Sequence, residues 1–85
     1  MTTQAELTAY IERQLREQGD DIDVGPDDDL VMAGLDSIAY VRLLAFLDER
    51  WGVRVPDVDV TIERFGSVAG IVGYLRARGI EDDDA

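Results

Sequence analysis

Apolar residues recur along this chain at helical spacing in three separate stretches. In the first, Leu7, Ile11 and Leu15 repeat every four residues with Tyr10 beside them, while Glu12, Arg13, Arg16 and Glu17 take the other side. That period predicts an amphipathic helix with one buried face. Thr3 followed by Glu6 fits a capping box for its start, and Gly19 offers a left-handed stop. The second stretch runs from Ser37 to Trp51 behind Asp36, a good N-cap, and ends at Gly52. It carries two apolar stripes, Ile38, Val41 and Ala45 on one and Leu43, Leu47 and Trp51 on the other. One stripe fills the core, which leaves the other partly exposed as a docking face. In the third, Val68, Ile71, Val72 and Leu75 share a face behind Ser67 as cap, with Gly79 as stop.

Between these stretches the pattern lapses. Residues 20–29 hold six aspartates with Gly25 and Pro26, which predicts a loop. The calcium-loop reading fails there. With Gly25 at the sixth position, Ile22 and Val24 fall on ligand positions and Val31 stands where a bidentate Glu belongs. Leu30, Val31 and Met32 are expected to tuck this loop onto the bundle. Val53, Val55 and Val58 around Pro56 predict an extended connector, and Thr61 to Phe65 allows a single helical turn anchored by Phe65. The resulting expectation is an all-α, four-helix bundle, three main helices and a short one, in one domain over residues 1–79, with an acidic tail over 80–85.

Composition narrows the chemistry. The 85 residues contain no His, no Cys and no Lys. The commonest general base, the thiolate nucleophile, the Schiff-base amine and most transition-metal ligands are therefore missing, so no catalytic residues and no metal site are expected. A net charge of -11 repels nucleic acid and anionic membranes and favours partners with basic patches. The chain shows no signal peptide or transmembrane run, so a monomer in the cytoplasm is the default expectation.

Serine occurs twice, at Ser37 and Ser67, both at helix starts where serine ordinarily caps. Ser67 is assigned that role. Ser37 differs because Asp36 already supplies the cap, which frees its hydroxyl at the first helical position. A phosphate ester there would meet the unpaired N–H groups and the positive end of the helix.

Gly34-Leu35-Asp36-Ser37-Ile38, then Leu43, Leu47, Glu49, Trp51-Gly52-Val53 and Val55-Pro56, resembles the acyl and peptidyl carrier proteins over nearly the whole chain. The resemblance implies a freestanding, non-catalytic carrier of acyl-carrier fold. A phosphopantetheinyl transferase would move 4'-phosphopantetheine from coenzyme A to Ser37, with Asp36 beside it, and the arm's thiol would hold an acyl or aminoacyl cargo as a thioester. The implied partners are that transferase, a loading ligase or acyltransferase, and downstream enzymes that meet Ile38, Val41, Arg42 and Ala45. Ala39 and Arg42 stand where fatty-acid carriers tend to hold carboxylates. The Leu35-Asp36-Ser37 run also resembles discrete aminoacyl carriers, such as the D-alanyl carrier proteins, and freestanding carriers of polyketide or nonribosomal peptide assembly lines. The competing reading is an acidic helical module that binds basic protein surfaces, which explains the charge but not Asp36 and Ser37 at a helix start.

Overall fold

The computed structural model describes residues 2–80; of the acidic tail expected over 80–85 all but Ile80 lies outside them, and Ile80 packs against the core. Among the described residues there are four helices: α1 (Thr3–Glu17), α2 (Ser37–Trp51), α3 (Ile62–Phe65) and α4 (Val68–Ala77), with a short 3-10 turn over Asp57–Asp59. The fold is all-α, and α4 packs on both α1 and α3 while α1 packs on α2. Leu7, Ile11 and Leu15 from α1, Leu43 and Leu47 from α2, Phe65 from α3, and Val68, Ile71 and Leu75 from α4 meet in one buried core. Each such side chain contributes about 1.5–3 kcal/mol by leaving water. The single turn of α3 could not persist by its own hydrogen bonds, because helix nucleation fixes three residues for one bond. Burial of Phe65 holds it in place.

Boundaries follow local chemistry with one displacement. The cap of α1 is Thr2 and not Thr3: Thr2 is extended, and its hydroxyl accepts the Ala5 N–H at 2.9 Å. Thr3 is instead the first helical residue and is buried. The expected capping box therefore does not form, since the Ala5 methyl offers no acceptor to reciprocate and the Glu6 carboxylate turns to Arg50 at 3.0 Å. The long α1–α2 connection is stapled at several points. Glu12, expected to face solvent, accepts the Val24 N–H at 2.7 Å, and Pro26 O accepts the Ala69 N–H at 2.8 Å. Val24 is buried within this otherwise acidic loop.

Leu30 fills the core as expected, but Val31 and Met32 do not tuck in. The turn that closes with Leu35 N–H on Leu30 O, at 2.9 Å, sets Leu30 and Leu35 inward and drives the two residues after Leu30 outward. Met32 is 83% exposed. The connector after α2 is also less extended than its valines suggest: beyond Pro56 the chain coils into the 3-10 turn and leaves Val58 exposed. Asp59 in that turn accepts from the Tyr74 hydroxyl at 2.7 Å and faces Arg64 and Arg78, tying the connector to α3 and α4.

Candidate functional site

The segment that aims α2 begins at Gly34, whose φ of +109° favours a residue without a side chain. A Cβ there would also lie 3.2 Å from an Asp20 carboxylate oxygen, and Gln18 Nε2 donates to the Gly34 carbonyl at 2.6 Å. The turn is thus fixed against the end of α1. Asp36 follows in extended conformation, and its Oδ1 accepts the Ala39 N–H at 2.8 Å. One orphan donor of α2 is satisfied by that bond, and the Asp36 carboxylate sits at the positive end of the helix. Ser37 comes next, at the first helical position, and is exposed. Its hydroxyl has no cap to make and projects to solvent beside the first N–H groups of α2.

Ile38 and Val41 are 63% and 66% exposed, and Ala45 is exposed behind them. The other stripe is the buried one, with Leu43 and Leu47 wholly inside and Trp51 packed at the core's edge. Arg42 flanks the exposed stripe and is not an isolated cation, since its guanidinium lies 3.6 Å from Glu17 across on α1. Ala39 has a different fate from Arg42. It is buried in the core, so whatever a partner reads on α2, it does not read position 39.

On its other flank the start of α2 meets apolar residues that the sequence pattern does not bring together. An open groove of about 310 Å³ is lined by Val31, Met32, Tyr40, Val60, Ile62 and Phe65. Tyr40 stands three residues beyond Ser37 and so on the same side of the helix. Its hydroxyl donates to Phe65 O at 2.8 Å, which pins α3 against α2 as the groove's wall. Burial, with the Asp29 carboxylate adding to it, raises the Tyr40 pKa and keeps that hydroxyl a donor. Ile62 is 80% exposed at the rim. The missed signal was a pair of bulky apolar residues, Val31 and Met32, directly after Leu30, where no helical period could bury all three.

Among the described residues, no group of three or more acidic side chains is placed to hold a metal ion. None of their helices is long and apolar enough to cross a membrane. An exposed, unengaged hydroxyl at a helix start suits attachment of an anionic ester, and a 4'-phosphopantetheine phosphodiester fits there without displacing any bond of the fold.

The family described as phosphopantetheine attachment site matches residues 5–75. A chain from the crystal structure of an FAD-dependent dehydrogenase is 30% identical, with a TM-score of 0.69, over 81% of this chain and 97% of that one. No curated protein matches. This chain belongs to the phosphopantetheine attachment site family. It is a carrier domain, not an enzyme, and its cofactor is 4'-phosphopantetheine.

Proposed function

We propose that Ser37 is the residue esterified, and that the domain presents an acyl or aminoacyl thioester to enzymes of a polyketide or nonribosomal peptide assembly line. One observation carries this assignment: Asp36 makes the cap bond, leaving the Ser37 hydroxyl exposed at the positive end of α2. The only other serine, Ser67, has its hydroxyl committed to the Gly70 N–H at 3.1 Å. The arm, once attached, supplies the thiol and the reach. The chain's own residues hold the phosphate end beside the unpaired N–H groups and offer an apolar surface around it.

A phosphopantetheinyl transferase must activate the Ser37 hydroxyl, because the chain has no imidazole and no lysine side chain to act as its base. Ile38, Val41 and Ala45 form the face a partner covers, with Met32 and Ile62 extending it across the groove. Arg42 at its edge disfavours enzymes whose docking patches are basic and suits those offering a carboxylate. The likeness to a chain from a flavin dehydrogenase structure supports a flavin-dependent oxidase or dehydrogenase among the partners. A thioester acidifies the C–H bond next to its carbonyl, which is where such an oxidation begins. Fatty-acid-type enzymes fit less well, given the cation at Arg42.

The test is the intact mass after incubation with coenzyme A and a broad-specificity transferase. Wild type and Ser67→Ala should each gain one phosphopantetheine, and Ser37→Ala none. An unmodified wild type beside an active control carrier, or modification that survives Ser37→Ala, would overturn the assignment.

A further inference from the structure

A second surface lies on the α1 side of α2. An open groove of about 400 Å³ runs between the two helices, and Arg13, Arg16 and Arg50 line it with a single carboxylate, Glu6. In the whole chain acidic residues outnumber basic ones by 19 to 8, so this local reversal is not what composition alone would place there. Glu6 is also already engaged. Arg50 holds it through two contacts, 3.0 and 3.1 Å, while lying over the Trp51 ring. Arg13 and Arg16 stand one turn apart on α1, exposed, and neither makes an ion pair among the described residues.

The floor beneath these cations is aromatic and rigid. Tyr10 stacks on Phe46 with ring centroids 4.1 Å apart and planes 10° from parallel, and Trp51 meets Phe46 edge-on. The Tyr10 hydroxyl donates to Arg42 O at 3.2 Å, which locks α1 to α2 at this level. Arg13 lies over the Tyr10 ring at 5.2 Å, and with no ion pair among the described residues its N–H donors remain for an acceptor. At 100° per residue, Phe46 and Arg50 lie roughly a third of a turn round α2 from Ile38, Val41 and Ala45. The groove is therefore distinct from the face beside Ser37.

We propose that the α1–α2 groove docks an acidic segment of a partner protein, its carboxylates on Arg13 and Arg16 and an apolar side chain over Ala9, Tyr10 and Phe46. Charge complementarity selects this occupant. A basic partner segment would meet three arginines in this groove and bind better elsewhere on this anionic molecule. A second copy of the chain would bring a further net charge of -11 against the first. Because long-range repulsion also opposes an acidic segment, the contact acts at short range, once another part of the partner has docked. It orients the partner by bidentate arginine–carboxylate pairing.

The surface does not depend on Ser37 modification, so the unmodified full chain tests it separately. The probe is a synthetic amidated hexapeptide of four glutamates and two leucines, with a lysine-for-glutamate peptide as control. Backbone amide shifts and the fluorescence of Trp51, the chain's one tryptophan, are followed. The acidic peptide should move amides of residues 6–16 and 46–50 saturably, and the lysine peptide should move others. R13E and R16E should each weaken binding at least fivefold, while R54E stays within twofold. Arg54 is 90% exposed outside the groove, and R54E changes net charge by the same amount. Equal loss in R16E and R54E would mean bulk charge alone and would overturn the proposal, as would absence of groove shifts at millimolar peptide. Groove shifts that grow with protein concentration without peptide would assign the surface to a second copy and equally overturn it.

Discussion

Asp36 and Ser37 divide two tasks that a single helix-start residue often combines. The aspartate closes the backbone and the serine is left for chemistry, so their deletions should differ in kind. Asp36→Ala removes the bond to the Ala39 N–H and should cost about 1 kcal/mol. Ser67→Ala should cost a similar amount by losing the bond from Gly70 N–H. Ser37→Ala should stay within about 0.5 kcal/mol of wild type, as surface changes without a structural partner do. Urea unfolding of the three variants measures this, and a Ser37→Ala variant as costly as Asp36→Ala would place the cap on the serine instead. Residue identity alone was a good guide here because caps are local: Asp36 and Ser67 each accept the N–H three residues on. The same rule slipped by one place at Thr2 and Thr3, adjacent threonines equal as caps, of which Thr2 makes the cap bond and Thr3 is buried.

At the scale of elements, α3 is the piece most dependent on its neighbours. Its four residues are held by Phe65 in the core, by the Tyr40 hydroxyl on Phe65 O, and by the Leu30 N–H on Gly66 O at 2.9 Å. Tyr40→Phe keeps the ring and removes one tie, so it should lower stability by roughly 0.5–1.5 kcal/mol. Amide exchange should rise in α3 before it rises in α1 or α4, because a short element opens locally at low cost. Uniform acceleration across all helices would show instead that α3 opens only with the whole fold. The long helices were readable from the sequence, since period and caps agree over Leu7 to Leu15 and over Asp36 to Gly52. Non-local geometry was not. Nothing in the spacing of Val31, Met32 and Ile62 reveals that they rim one groove, nor that Ala39 is drawn inside while its neighbour Ile38 stays out. The α1–α2 groove was hidden for the same reason, its arginines being 34 or more residues apart in sequence across the two helices.

For the molecule as a whole, 19 acidic against 8 basic side chains set the response to salt and pH. The ion pairs Arg42–Glu17, Arg54–Asp48 and Arg64–Asp59 are 3.6–3.8 Å long and at least partly exposed, so each contributes little and screening them loses little. Net repulsion is the larger quantity. Raising ionic strength from about 0.01 to 0.15 M shortens the Debye length from roughly 30 to 8 Å and should raise the thermal midpoint. A midpoint that is flat or falls would show that repulsion does not limit stability. Alkaline pH acts through different groups. Burial raises the pKa of Tyr10, Tyr40 and Tyr74 above the ordinary value of 10.0, and for Tyr74 the hydrogen bond it donates to Asp59 raises it further. The fold thus favours the protonated phenol, and the unfolded chain loses its tyrosine protons first. This contribution is fully present below about pH 10, the unfolded value, and is lost as pH climbs through the higher folded values. With no histidine and no cysteine, no side chain of those types titrates between neutrality and that point. The midpoint at fixed salt should therefore be level from about pH 7 to 9 and fall beyond about pH 10. Tyrosinate absorbance near 295 nm should lag in the folded protein behind the urea-unfolded one. Coincident titration curves, or a midpoint already falling between pH 7 and 9, would remove the buried phenols as the cause.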